Sequence, residues 1–192
     1  LNLGLNGQLL TLNDSWTLEP RAGIRWQPTT RSTFAAAYGL HSRMEKIDVY
    51  FVKVDNQFVN KDLDFTKAHH FMLSYALKIS DNVNLKIEPY YQYLYDVPVE
   101  ADGSYSVLNR SDFFVDKALV NKGKGRNYGV DITLERYLNR GWYYMFTGSF
   151  FNSRYCGGDG VWHNTRYNRK YILNTLGGKE WMIGSRKQNV LS

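Results

Sequence analysis

Asn84-Leu-Lys-Ile-Glu-Pro-Tyr-Tyr-Gln-Tyr-Leu-Tyr-Asp-Val97 is the stretch that decides the fold. Leu85, Ile87, Pro89, Tyr91, Tyr93, Tyr95 and Val97 alternate with Asn84, Lys86, Glu88, Gln92 and Asp96. A β-strand sends successive side chains to opposite faces, so this period of two predicts one long strand with an apolar face and a wet face. The segment before it repeats the pattern, with Phe71, Leu73, Tyr75, Leu77 and Ile79 opposing His70, Ser74 and Lys78. Ser80-Asp-Asn-Val83 between them predicts a tight hairpin.

Working outward, the same alternation runs through Leu18 to Gln27 and Tyr128 to Glu135. It is blurred by Tyr143, Met145 and Phe151 in Trp142 to Phe150, and weaker in Thr33 to His41. The first segment, and the last from Tyr171 to Met182, have strand length but mixed faces. The chain is therefore read as all-β, about eight antiparallel strands in up-and-down order, with no helix of any length required. Connections alternate in length. Short links fall at Pro28 to Ser32, Ser80 to Val83 and Asn139 to Gly141, and long polar stretches at Ser42 to Asp64, Pro98 to Arg126 and Cys156 to Arg169. Short turns on one rim and long loops on the other are the habit of transmembrane β-barrels, which predicts a barrel segment.

Composition agrees with a membrane wall. The 192 residues suit one domain, and 16% of them are aromatic. No run reaches the roughly 18 apolar residues of a spanning helix, but a barrel strand is apolar only at alternate positions and needs about 9 to 11 residues. Trp26 and Trp142 beside short turns, with Trp16, Tyr93 and Tyr95 near loop ends, predict two aromatic girdles at the membrane interfaces. Parity does not say which face is inside, so a soluble lipocalin-like barrel or sandwich is the competing fold. The opening Leu1-Asn-Leu-Gly-Leu5 reads as the interior of a strand, so the chain is expected to be a piece of a longer protein.

The net charge of +6 is scattered over strands and loops, so nucleic-acid binding is not expected. Gly123-Lys-Gly-Arg-Asn-Tyr-Gly129 leads into a strand and lacks the Lys-Ser/Thr of a phosphate loop. Its basic residues Lys122, Lys124 and Arg126 read as a loop patch. Adjacent His69 and His70 point to opposite faces of a strand and cannot share a metal, and Cys156 is the one cysteine, so neither a metal nor a cofactor is expected. Glu88, Asp131 and Glu135 are read as lumen carboxylates paired with Arg21, Arg25, Lys78 and Lys86 rather than as catalytic groups. A lumen lined by both signs suits a plugged barrel better than an ion-selective pore. Long loops on a rigid wall carry recognition, which nominates His41, Arg43, Lys122, Lys124, Arg126, Trp162 and His163 for ligand contact. Asn13 to Ser15 and Asn109 to Ser111 match a glycosylation pattern short enough to arise by chance.

The runs Gly123 to Arg136, Trp142 to Ser149, Asn152 to Tyr155 and Asn174 to Glu180, with Glu19 to Ile24, Tyr38 to Arg43 and Glu88 to Pro98, resemble in order and spacing the barrel of TonB-dependent outer-membrane receptors of the Bacteroidetes type. The resemblance spans nearly the whole chain. It implies import of a scarce nutrient, a metal chelate, vitamin or glycan, across the bacterial outer membrane. It also implies a plug domain and TonB as partners in the parent protein, ligand at the outer loops, and no enzyme activity. A plug, a TonB-contacting segment and a closing strand ending in an aromatic residue are not found between Leu1 and Ser192. Since such barrels use about 22 strands, the chain is expected to form part of the wall. A passive porin or adhesin-like barrel would share the same strand features.

Overall fold

The computed structural model describes residues 1–110, 114–183 and 189–191. Residues 111–113 of the predicted loop from Pro98 to Arg126, including Ser111 of the Asn109 to Ser111 motif, lie outside the described residues, as does Ser192.

The chain runs β1 (Asn2–Leu10), β2 (Ser15–Trp26), β3 (Ser32–Arg43), a one-turn helix α1 (Ile47–Tyr50), the short pair β4 (Lys53–Val54) and β5 (Gln57–Phe58), β6 (Thr66–Ser80), and β7 (Val83–Val99). A 3-10 turn at Val107–Asn109 precedes β8 (Val120–Asn139) and β9 (Trp142–Cys156), and β10 (Trp162–Asn164), β11 (Tyr171–Lys179), β12 (Trp181–Ile183) and β13 (Asn189–Leu191) follow. Nine strands form one sheet in the order β1-β2-β3-β6-β7-β8-β9-β10, with β11 also on β9. Every pairing is antiparallel, and within the sheet it joins chain neighbours except where the β4–β5 hairpin is inserted between β3 and β6 and where β10 lies between β9 and β11. β10 pairs with the Arg154–Cys156 end of β9 and β11 with its Trp142–Phe150 end, so both use the same edge and the sheet has eight lanes, the number the alternation predicts. The sheet is open among the described residues, with β1 at one edge and β10 and β11 at the other.

Register carries each face across the sheet. Ala22, Tyr38, Phe71, Tyr91, Tyr128 and Asn152 lie in one row, and Trp26, Phe34, Tyr75, Ile87, Ile132, Gly148 and Leu173 in another, all on the apolar face. The first strand joins them. Leu3, Leu5 and Leu9 share the apolar face while Asn2, Asn6 and Gln8 share the other, so β1 is better ordered than its mixed-face reading suggested. Conversely, the last segment is not one strand. It breaks at Glu180, whose backbone N–H donates to the Gly141 carbonyl at 2.7 Å, and Trp181 starts β12, which pairs antiparallel with β13 apart from the main sheet.

The short turns stand where expected. Arg140 and Gly141 both hold positive φ, the geometry of a two-residue turn whose twist matches the flanking strands. The alternation of β7 holds as far as Tyr95 and then fails. Asp96 adopts φ 53°, pairing with β6 ends at Tyr95, the register with β8 slips, and Val97, Pro98 and Val99 become fully buried. A bulge re-aims a strand, and here it takes Val97 off the apolar face on which parity placed it.

A buried hydrophobic cluster lies outside the sheet. Val49, Tyr50, Val52 and Leu63 from the connection after β3 pack with Val115 and Leu119 from the connection after β7, and Leu10, Leu12, Val59, Tyr105 and Val107 close around them. These stretches lie on the rim opposite the short turns. They fold over the polar side: Leu108 covers Gly125, Thr66 donates to buried Glu45 at 2.9 Å, and Asn109 donates to the Tyr155 hydroxyl at 3.5 Å. The apolar face is left uncovered, with Leu3, Leu5, Trp16, Leu18, Ile24, Trp26, Leu73, Phe150 and Tyr171 exposed.

Candidate functional site

The polar face carries a ladder of side chains at the level of Gly39 and His70. His41 on β3 packs against His70 on β6, the rings tilted at 42° with centroids 4.5 Å apart. His70 Nδ1 lies 3.4 Å from Gln92 Nε2, Asn127 donates to Gln92 Oε1 at 3.0 Å, Ser153 donates to Asn127 Oδ1 at 2.6 Å, and Thr165 donates to Ser153 at 2.9 Å. Successive antiparallel registers produce this row, since His70, Gln92, Asn127 and Ser153 are direct cross-strand partners. It lines a cavity of about 500 Å³ that also holds Glu88, Tyr90, Asp131 and Phe151.

Glu88 and Asp131 are directly opposite each other on β7 and β8, a like-charge pair partly relieved by Lys86, whose Nζ is 2.9 Å from Glu88 Oε1. The site therefore offers neutral donors and acceptors, two imidazoles and a net negative spot. That combination serves contact with a polar solute or with a packed domain. Among the described residues no group of three or more His, Cys, Asp or Glu is placed to hold a metal ion.

Beside the ladder, Glu19 is only 1% exposed yet fully partnered. Its carboxylate accepts from Asn6 at 3.1 Å, Gln8 at 2.5 Å, Arg21 at 2.9 Å and the Ser42 backbone N–H at 3.0 Å, and also from the Ser42 hydroxyl. A buried carboxylate is stable only when hydrogen-bonded donors replace its hydration, and this one ties β1, β2 and β3 together. Sequence reasoning missed it. The signal was the polar set Asn2, Asn6 and Gln8 alternating with leucines ahead of Glu19.

The seven predicted lumen charges, Arg21, Arg25, Lys78, Lys86, Glu88, Asp131 and Glu135, do share the polar face by register. Their predicted pairing is corrected except at Lys86 and Glu88. Arg21 pairs with Glu19 at 2.9 Å and Lys78 with Asp81 at 2.9 Å, because both acids are nearer in the chain than the carboxylates of β8. Of the ligand candidates, His41 joins the ladder, Arg43 is exposed with Glu45 3.6 Å away, and His163 bonds Asp159 at 2.7 Å. Asp159 titrates below the ordinary carboxylate range because the Val161 N–H and the His163 ring both bond it.

Lys122, Lys124 and Arg126 are not loop residues. They belong to β8, and register with β9 turns Lys124 and Arg126 to the apolar face, away from the ladder. The interleaved glycines hide the strand from a propensity reading, yet they are what permits it. A Cβ at Gly123 would strike Val99, and one at Gly125 would lie 2.6 Å from Leu108. Trp162, also predicted in a loop, sits in β10 on the same apolar side, opposite Cys156.

An open, up-and-down antiparallel wall with one bare apolar face, one hydrogen-bonded polar face and long loops gathered at one rim is the fold of a barrel segment. Among solved structures, the FrpB iron transporter of Neisseria meningitidis (F3-3 variant) superposes with a TM-score of 0.59 at 13% identity over 89% of this chain and 25% of its own. The ferric-catecholate import receptor Fiu of E. coli K12, in its closed form, gives 0.63 at 12% identity over 90% of this chain and 23% of its own. The chain thus spans about a quarter of the length of the transporters whose fold it shares. No family model and no curated protein sequence matches it.

Proposed function

We propose that this chain is part of the barrel wall of a TonB-dependent outer-membrane receptor, of the Bacteroidetes type, that imports a scarce nutrient such as a metal chelate, vitamin or glycan. The observation that carries the reading is the division of the sheet into two faces. Water does not favour a face bearing Leu3, Leu5, Ile24, Leu73, Phe150 and Leu173 in the open, whereas a bilayer does. The long loops cover the opposite face, as they would if that face lined a lumen. The likeness to an iron transporter and a catecholate import receptor supports transport rather than catalysis.

On this reading the role of the chain is that of a surface. The ladder from His41 to Thr165, with Glu88 and Asp131, faces the lumen and meets a plug domain supplied by the rest of the parent protein. The joined loops after β3 and β7 present the outer surface to ligand, and TonB powers the cycle from the inner membrane. The test is made on the intact gene product. Heat-dependent gel mobility in detergent, an outer-membrane location, and uptake that stops when TonB is deleted are the expected results. A protein monodisperse without detergent overturns the membrane reading, and uptake indifferent to TonB leaves a passive barrel.

A further inference from the structure

The apolar face ends in a cationic notch on β8, β9 and β10. Arg126 and Arg154 are direct cross-strand partners there, an arrangement of like charges that destabilises a sheet unless something neutralises it. The Arg126 guanidinium lies 4.3 Å over the Trp162 indole, and Arg154 Nη2 donates to the Trp162 carbonyl at 2.8 Å. The Nε atoms of both arginines are buried without a partner. Lys124 neighbours them on the same face, and Lys170 Nζ, 3.1 Å from Asn152 Oδ1, approaches from the start of β11. Among the described residues, no carboxylate lies within ion-pair distance of Lys124, Arg126, Arg154 or Lys170.

Immediately toward the short-turn rim, the same face becomes apolar through Tyr128, Val130, Phe150 and Tyr171. Arg126 and Lys170 border a cavity of about 770 Å³ that Tyr128, Val130 and Phe150 continue. We infer that this notch binds the phosphate of an anionic lipid, whose acyl chain lies along Tyr128, Val130 and Phe150. The inference rests on the membrane reading above. Charge complementarity selects the occupant: two guanidinium forks and an ammonium match the oxygens of a phosphate, and the apolar continuation matches a chain attached to it. Tyr93, stacked on Tyr95 and cross-strand to Arg126, places the notch at the height where interfacial rings and lipid headgroups meet. A dissolved anion would gain nothing from the apolar continuation.

The test uses the intact gene product in nanodiscs containing phosphatidylglycerol and phosphatidylcholine, with retained lipids counted by native mass spectrometry. The wild type is expected to retain phosphatidylglycerol preferentially. Each of Arg126→Gln, Arg154→Gln and Lys170→Gln is expected to lower that preference about fivefold. Lys86→Gln, on the opposite face, is expected to leave it unchanged. Preference surviving the triple variant, or lost equally in Lys86→Gln, overturns the proposal. So does displacement of the lipid by millimolar inorganic phosphate, which would mark a free-anion site. Heat-dependent mobility is recorded for every variant. A heat-modifiable wild type without lipid preference sinks the lipid site alone, whereas loss of heat modification in the wild type sinks the barrel reading.

Discussion

Asn60, in the connection after β3, accepts a hydrogen bond from the Leu119 backbone N–H at 2.8 Å and donates one to the Lys117 carbonyl at 2.9 Å, stitching it to the connection after β7. Asn121, at the start of β8, ties the first connection to the sheet, accepting from the Asp64 N–H at 2.9 Å and donating to the Asp96 carbonyl of β7 at 2.7 Å. Two loops that would otherwise move independently thus behave as one cap with its own core. Asn60 is 1% exposed, so its removal strands the buried Leu119 N–H and frees the half-buried Lys117 carbonyl. Asn60→Ala is expected to cost the cap about 1–3 kcal/mol. Hydrogen exchange should rise together in residues 44–65 and 114–119 and remain slow in β7 and β8. Exchange confined to residues 44–65 would show that the loops are not coupled.

Tyr50 anchors the same cap, 1% exposed and accepting from the Glu45 backbone N–H at 3.2 Å. Burial pushes its phenol above the ordinary tyrosine value, so the folded cap holds the proton more tightly than the unfolded one. The linked stability is fully present below the unfolded value of about 10 and is lost as pH rises through the folded value. Alkaline loosening of residues 44–65, followed by exchange or proteolysis, should therefore set in above about pH 10. Tyr50→Phe should abolish that dependence while costing about 1–3 kcal/mol for the buried Glu45 N–H left without its acceptor, and Tyr50→Ala should destabilise the cap further, by about 3–5 kcal/mol at neutral pH.

Neighbouring residues of β6 separate the two readings of the faces. Leu73 is 57% exposed on the apolar face and Ser74 points to the other. If lipid covers the apolar face, Leu73→Arg should cost about 2–4 kcal/mol near the bilayer midplane and cut the heat-modifiable fraction, while Ser74→Arg is tolerated. A soluble barrel with its apolar face inside also suffers from Leu73→Arg, but it folds without detergent, and that measurement decides between them.

Gly129 is a notch in β8 that Phe151 fills. A Cβ there would lie 2.8 Å from Phe151 Cβ and 2.5 Å from the Phe150 carbonyl oxygen, which is backbone and cannot yield. Gly129→Val is expected to disrupt the β8–β9 ladder and lower the yield of folded barrel, whereas Gly160→Ala, in a turn with open space around it, should lose only the cost of a positive φ. Folding yield into detergent micelles is the measurement. Equal yields would mean the ladder has slack at Gly129.

Phe151 also explains why one strand read poorly. One of the residues that blur the alternation after Trp142 is Phe151, which faces Tyr90 across the gap left by Gly129, a cross-strand relation no single segment displays. The basic run at Lys122 to Arg126 misled for the same reason: its glycines lie beneath Val99, at the re-aimed end of β7, and Leu108, brought over by the long connection that follows. Loop assignment there followed from local propensity, and packing overrode it.

What the residues determined alone was whatever depends on neighbours along the chain. The period of two in β6 and β7, the tight turns and the rim on which long connections fall follow from local backbone geometry and side-chain order, and they are readable from Phe71 to Tyr95. Tertiary structure alone decided what depends on register and on contact between distant segments. Antiparallel pairing aligned His41, His70, Gln92, Asn127 and Ser153 into a ladder, turned Arg126 and Arg154 together on the other face, and brought Asn60 to Leu119. Alternation assigns a residue to a face, but only the hydrogen-bonded register assigns it a partner.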